Sequence, residues 1–302
     1  MAKILVTDGM DKKGVEELKA MGHEVIEQFY ELEDLNQAVK EADAIIIRSA
    51  TKIRKPTIEA AKETGRLKLI VRAGVGVDNI DVKVAEESGI SVKNTPNASS
   101  AAVAELAIGQ MFALARHIYA SNVTMREGKW LKNEYKGIEL AGKTLGLIGF
   151  GRIAQETAKR ADALGMKVIY NTRSGKKDGF DQFDYQSFET VIKESDFISL
   201  HVPYDKEKGT MVGKSEFEMM KKGVYIVNCA RGGVVDEGAL LEALDNGIVS
   251  AAALDVFSEE PTKNDKLVCH EKVSVTPHVG ASTKEAQARI GQELVKIVKE
   301  FF

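Results

Sequence analysis

Three side chains in the C-terminal part of the chain, Arg231, Glu260 and His278, make a kit for moving a proton beside a carboxylate. A histidine gives or takes a proton near neutral pH. A neighbouring carboxylate orients the imidazole and favours its charged form. A guanidinium grips a carboxylate with two hydrogen bonds and polarises an adjacent carbonyl. Each of the three sits just past an apolar run, in "VNCARGG", "AAALDVFSEEP" and "VSVTPHVG". Glu259 competes with Glu260 by composition alone.

Upstream, "KTLGLIGFGRIAQETAKRA" contains Gly149-Phe150-Gly151-Arg152-Ile153-Ala154, a G-x-G-x-x-A pattern. Alone the pattern is weak. Here it follows an apolar strand candidate and opens an amphipathic helix, the context in which such a loop holds a dinucleotide. Gly149 permits the tight turn and Gly151 lets the backbone approach a pyrophosphate, to which the helix N-terminus offers amides and positive dipole. About 20 residues on, an acid would normally bind the adenosine ribose. The chain instead reads Thr172-Arg173-Ser174. An arginine between hydroxyls suits a ribose 2′-phosphate; the alternative is a solvated turn arginine stacked on adenine. The expected cofactor is NAD or NADP, with NADP accepted. Beside a nicotinamide, Arg231, Glu260 and His278 suffice for hydride transfer at a 2-keto or 2-hydroxy acid.

These residues need a scaffold that brings strand ends together. Short β-rich runs alternate with helical stretches throughout, and near-continuous runs such as "AIII" suit strands buried on both faces. The pattern predicts an α/β protein with two doubly wound parallel-sheet domains. The first spans residues 1–97 plus a returning C-terminal helix at 283–302; the second spans 98–282 and carries the dinucleotide loop. In the open sheets of such folds, ligands bind beyond the carboxyl ends of the strands. A long helix predicted over 98–120, capped by Asn97, is apolar around most of its circumference. It must be covered by interdomain core or by a second subunit.

Composition limits the alternatives. The 302 residues are 44% hydrophobic and 29% charged, with a formal net charge of -3. That balance gives no case for nucleic acid or membrane as partner. No apolar run approaches a membrane span, and "MAKILVTDG" lacks a signal-peptide pattern. Cys229 and Cys269 form no CxxC pair. A cytoplasmic protein is expected. No His, Cys and carboxylate cluster has metal-ligand spacing, so no metal is expected.

At the residues quoted above, and at "RSATKI", "RAGVGVDNID", "NTPNASS", "NCARGGVVDEGAL" and "TPHVGASTKEAQ", the chain strongly resembles the D-isomer-specific 2-hydroxyacid dehydrogenases, in particular their phosphoglycerate dehydrogenase branch. The resemblance implies a flavodoxin-like substrate domain and a Rossmann dinucleotide-binding domain. It implies Arg231 on the substrate carboxylate and carbonyl, His278 as general acid/base, and Glu260, immediately before Pro261, as its partner. It further implies Arg152 and Ile153 at the pyrophosphate, and His201 and Pro203 near the adenine and its ribose. Cys229, Ala230, Asp255, Gly280 and Ala281 would lie on the nicotinamide side. In the first domain, Arg48 and Ser49, and Arg72, Ala73, Gly74, Val75 and Gly76, would hold the substrate's anionic groups; ordinary surface ion pairs are the alternative for the arginines.

The reaction so implied is oxidation of 3-phosphoglycerate to 3-phosphohydroxypyruvate, in serine biosynthesis. The alternatives are a glyoxylate or hydroxypyruvate reductase and, from another class, a nucleotide-sensing, co-repressor-like binding protein. Lys132-Asn133-Glu134 after "GKW" is less basic than the branch's pattern. The sequence ends at Phe302 without the regulatory amino-acid-binding domain of many such enzymes, so serine feedback through one is not expected. A homodimer through the 98–120 helix is expected.

Overall fold

The computed structural model describes residues 1–302. The chain divides into two units, Met1–Ser99 with Ala281–Phe302, and Ser100–Gly280.

The first unit holds β1 (Lys3–Val6), β2 (Glu24–Glu27), β3 (Ala44–Ile47), β4 (Leu69–Arg72) and β5 (Ser91–Asn94). They form one parallel sheet in the order β2-β1-β3-β4-β5, the flavodoxin-like arrangement. Every residue of β3 and β4 is buried, because helices cover both faces. The helix Lys284–Phe301, capped by Thr283, seats Ile290, Leu294, Val295 and Val298 against one face with Ile4, Val6 and Ile46.

The second unit holds β6 (Thr144–Ile148), β7 (Lys167–Asn171), β8 (Asp184–Tyr185), β9 (Phe197–Leu200), β10 (Val224–Asn228), β11 (Val249–Leu254) and β12 (Val273–Val275). Their order, β12-β11-β10-β9-β6-β7-β8, is parallel throughout. This is the Rossmann order with one added strand, and the order reverses between β6 and β9. β8, two exposed residues, has no counterpart among the strands expected from sequence.

The helix expected over 98–120 is two helices, Ser100–Ala115 and Ile118–Arg126. The break lies at His117, whose φ is 52°. Its cause is tertiary: the returning chain donates Ile138 N–H to the Ala115 carbonyl, 2.9 Å away. The first helix is covered within its own unit, where Val103, Ala107, Met111 and Leu114 join the core of Leu145, Leu147 and Phe197. No helix is long and apolar enough to cross a membrane.

Candidate active site

The glycine loop follows β6, beside the point where the strand order of the second unit reverses. Gly149 has φ +90°, and a Cβ there would lie 2.4 Å from the His201 carbonyl oxygen. Only glycine fits both the conformation and that approach. Phe150 points inward and stacks on Tyr170, ring centroids 3.7 Å apart. Gln155 holds the loop by donating to the Phe150 carbonyl at 3.1 Å. The helix Arg152–Ala163 begins at Gly151 with no side-chain cap and no acid in its first turn. The space above Gly151 is open.

A cavity of about 530 Å³ adjoins this loop, lined by Gly149, Gly151, Thr172, Arg173, His201 and Pro203 among others. An uncapped helix start facing open space and a cavity at the strand reversal fit the phosphates and adenosine end of a dinucleotide. The Thr172 and Ser174 hydroxyls are 3.5 Å apart across Arg173. The turn beyond is fixed where Lys177 N–H donates to the Tyr170 hydroxyl at 2.9 Å.

Arg231 leaves β10 on a turn clasped by Asn228, which is 2% exposed. The Asn228 amide donates to the Arg231 carbonyl at 3.0 Å, and its oxygen accepts Ala230 N–H at 3.0 Å. The Arg231 guanidinium donates to the Ala230 carbonyl at 2.6 Å. Cys229 is buried, which pushes its thiol pKa up, with the Asp255 charge adding to the effect. It is a protonated thiol, not a nucleophile.

His278 and Glu260 meet: Nδ1 is 2.7 Å from Glu260 Oε2. The other carboxylate oxygen accepts Phe257 N–H at 3.1 Å. Burial works to raise the Glu260 pKa. The His278 hydrogen bond and charge, the Phe257 amide and the Arg231 charge outweigh it and hold the group below the usual carboxylate value. Arg231 is thus near enough to act on Glu260 through its charge. His278 itself has φ +53°, a left-handed backbone uncommon outside glycine. Asp255 holds that turn, accepting Thr276 Oγ1–H at 2.6 Å, Val279 N–H at 2.8 Å and Gly280 N–H at 2.9 Å. Gln110 adds support by accepting the Ser274 hydroxyl at 2.8 Å and donating to Thr276 Oγ1 at 3.5 Å.

Cys229, Ala230, Asp255 and Gly280 do not line the cavity; they lie at the ends of β10 to β12 with Arg231 and His278. Ala281 falls in the first unit. Arg152 and Ile153 open the helix behind Gly151.

In the first unit, Arg72 is 9% exposed and donates to Ser49 Oγ and to the Ala73 carbonyl, both at 3.1 Å. The Arg48–Thr51 segment is anchored by Asp8, which accepts Arg48 N–H at 2.6 Å, Thr51 N–H at 3.0 Å and the Thr51 hydroxyl at 2.6 Å. Asn79 donates to the carbonyls of Arg48 and Thr51, each at 2.7 Å. Val75 is bonded by Asn94 at 2.6 Å. Sequence reasoning missed Asp8, Asn79, Asn228 and Gln110. Each acts by binding backbone or hydroxyl groups distant in the chain, which leaves no local pattern.

The His201 ring Nε2 lies 2.9 Å from the buried Ser199 hydroxyl. Desolvation pushes its pKa down from 6.5 to about 4, so the ring is neutral at physiological pH. Above pH 6.5 it is neutral whether folded or unfolded. Between pH 6.5 and about 4 the unfolded chain takes up a proton that the fold refuses, and stability falls. His201→Gln should flatten that part of the pH–stability curve in urea unfolding.

Residues 108–280 match the family described as D-isomer specific 2-hydroxyacid dehydrogenase, NAD binding domain. The chain is 49% identical over 304 aligned residues to hydroxypyruvate reductase of Thermotoga maritima, covering 99% of this chain and 98% of that protein. It is 44% identical to D-3-phosphoglycerate dehydrogenase of Methanocaldococcus jannaschii, covering 99% of this chain but 57% of that protein. A glyoxylate reductase from Paecilomyes thermophila superposes with a TM-score of 0.89 at 31% identity, covering 98% and 94% of the two chains. The chain belongs to the D-isomer-specific 2-hydroxyacid dehydrogenases and carries their NAD-binding domain.

Proposed function

We propose that the protein interconverts a D-2-hydroxy acid and its 2-keto acid, with hydroxypyruvate as the keto acid and NAD or NADP as redox partner. The observation that carries the reaction is the 2.7 Å bond from Glu260 to His278 with the Arg231 charge close by. With Nδ1 held by Glu260, His278 would turn Nε2 to the substrate oxygen. It gives a proton to that oxygen in reduction and takes one in oxidation. Arg231 would hold the carboxylate and polarise the adjacent carbonyl. The cofactor, when bound, supplies or accepts the hydride. Gly149 and Gly151 would admit its phosphates, and the pocket at His201 and Pro203 its adenosine.

Hydroxypyruvate is favoured because the hydroxypyruvate reductase is matched over 98% of its length. A second reading, 3-phosphohydroxypyruvate in serine biosynthesis, is supported by Arg48 on the anchored segment after β3 and Arg72 at the end of β4, bonded to Ser49 of that segment, two cations that suit a phosphate. Arg173 on the cavity wall, with no acid beside it, supports use of NADP. The helix Ile118–Arg126 buries none of its residues, and Phe112, Ile118, Val123, Met125 and Trp130 expose apolar surface nearby. A second copy of the chain is the occupant we propose for this patch.

Steady-state kinetics on hydroxypyruvate, glyoxylate and 3-phosphohydroxypyruvate with both reduced cofactors tests the reading. His278→Ala should lower turnover by about a hundred- to ten-thousand-fold while leaving cofactor affinity unchanged; undiminished turnover would sink the assignment. Arg173→Asp should shift preference from NADP towards NAD by about tenfold or more, the scale of one charge-assisted hydrogen bond. An unchanged ratio would remove Arg173 from the cofactor site. Light scattering at micromolar concentration should give twice the mass of one chain, and a single-chain mass would exclude the dimer.

A further inference from the structure

Glu260 must hold its carboxylate 2.7 Å from His278, yet the loop that carries it has little to anchor it. Ser258, Glu259, Glu260, Pro261 and Lys263 are all exposed. No buried apolar side chain fixes the segment between Phe257 and Leu267. An exposed loop without such anchors samples many conformations, so polar contacts have to define this one.

At both ends of the loop, Ser258 and Asn264, the contact comes from one side chain, Glu237, in the first turn of the helix Glu237–Asp245. Its Oε1 accepts Ser258 N–H at 2.8 Å, and its Oε2 accepts the Asn264 side-chain amide at 2.9 Å. Ser258 and Asn264 bracket Glu260 in sequence. The Asn264 amide cannot flip freely, because its oxygen caps the following helix by accepting Leu267 N–H at 3.3 Å. A second contact works in the same direction. A Cβ on Gly232 would lie 1.7 Å from the Phe257 carbonyl oxygen, so the turn after Arg231 is packed backbone to backbone against the start of the Glu260 loop.

We propose that Glu237 is a positioning residue: its carboxylate braces both ends of the Ser258–Asn264 loop and so sets Glu260 against His278. The brace also ties that loop to the segment that carries Arg231. The inference rests on the proposed reading of Glu260 and His278 as the proton-transfer pair. A displacement of about 1 Å at such a pair can cost up to about a hundredfold in rate.

The test is an exchange of amide and carboxylate. Glu237→Gln keeps an acceptor for Ser258 but sets an amide donor against the Asn264 amide. Asn264→Asp keeps the helix cap but sets two carboxylates together. Each alone should lower kcat about tenfold, the scale of one charge-assisted hydrogen bond, with cofactor affinity unchanged. The double variant E237Q/N264D restores a donor facing an acceptor, and kcat should return to within about twofold of wild type. Circular dichroism checks that each variant is folded. Full kcat in both single variants would overturn the brace, and so would a double variant showing the product of the two losses. Glu260→Gln serves as reference. If it turns over like wild type, the proton-pair reading falls and the role of Glu237 with it. If it is impaired while E237Q is not, the brace alone falls.

Discussion

Asp255 is 1% exposed, and its two carboxylate oxygens take three donors from the turn that carries His278. That turn needs such a restraint. A histidine at φ +53° occupies a region disfavoured for a residue with a Cβ, and it persists only where the surroundings over-determine it. Without the three bonds nothing would hold that backbone in its disfavoured region or the imidazole against Glu260. The apolar strands place the turn within a few ångströms of its partners. A buried ionic acceptor then sets the last ångström.

The same division of labour recurs around the site. Apolar burial decides which strands exist and in which order they lie. Polar side chains, at the strand's own end or reaching across from neighbouring elements, decide the conformation of the loops that leave the strands. Asn228 clasps the Arg231 turn, Asp8 and Asn79 clasp the Arg48–Thr51 segment, and Glu237 grips the Glu260 loop. Where the acceptor is a carboxylate, as with Asp8 and Glu237, the bonds are charge-assisted and stronger than the neutral amide bonds of Asn228 and Asn79.

This division explains what could be read from the sequence. Ala44–Ile47 was legible as a central strand because both of its faces are buried, which demands an unbroken apolar run. The glycine loop and the meeting of Arg231, Glu260 and His278 were legible because such loops and clusters restrict residue type. The break at His117 was not: the surrounding sequence stays apolar, and the interruption comes from Ile138, distant in the chain, taking the Ala115 carbonyl. Nor was β8, where Asp184 and Tyr185 are too short and too exposed to carry a period. The bracing residues leave no trace of their partners in local sequence. Asp255, expected among cofactor contacts, has its carboxylate engaged by the His278 turn, a role that no spacing rule foretells.

The strand order has a consequence for how such a protein can change. The turn Thr172 to Ser174 follows β7, whereas Arg231, Glu260 and His278 follow β10, β11 and β12. Strands β6 and β9 stand between the two groups, and each group is fixed by its own side-chain bonds. Substitutions in one therefore leave the packing of the other untouched. A lineage can alter the turn after β7 through a handful of mutations while the Arg231, Glu260 and His278 cluster is inherited intact, and selection can act on the two separately.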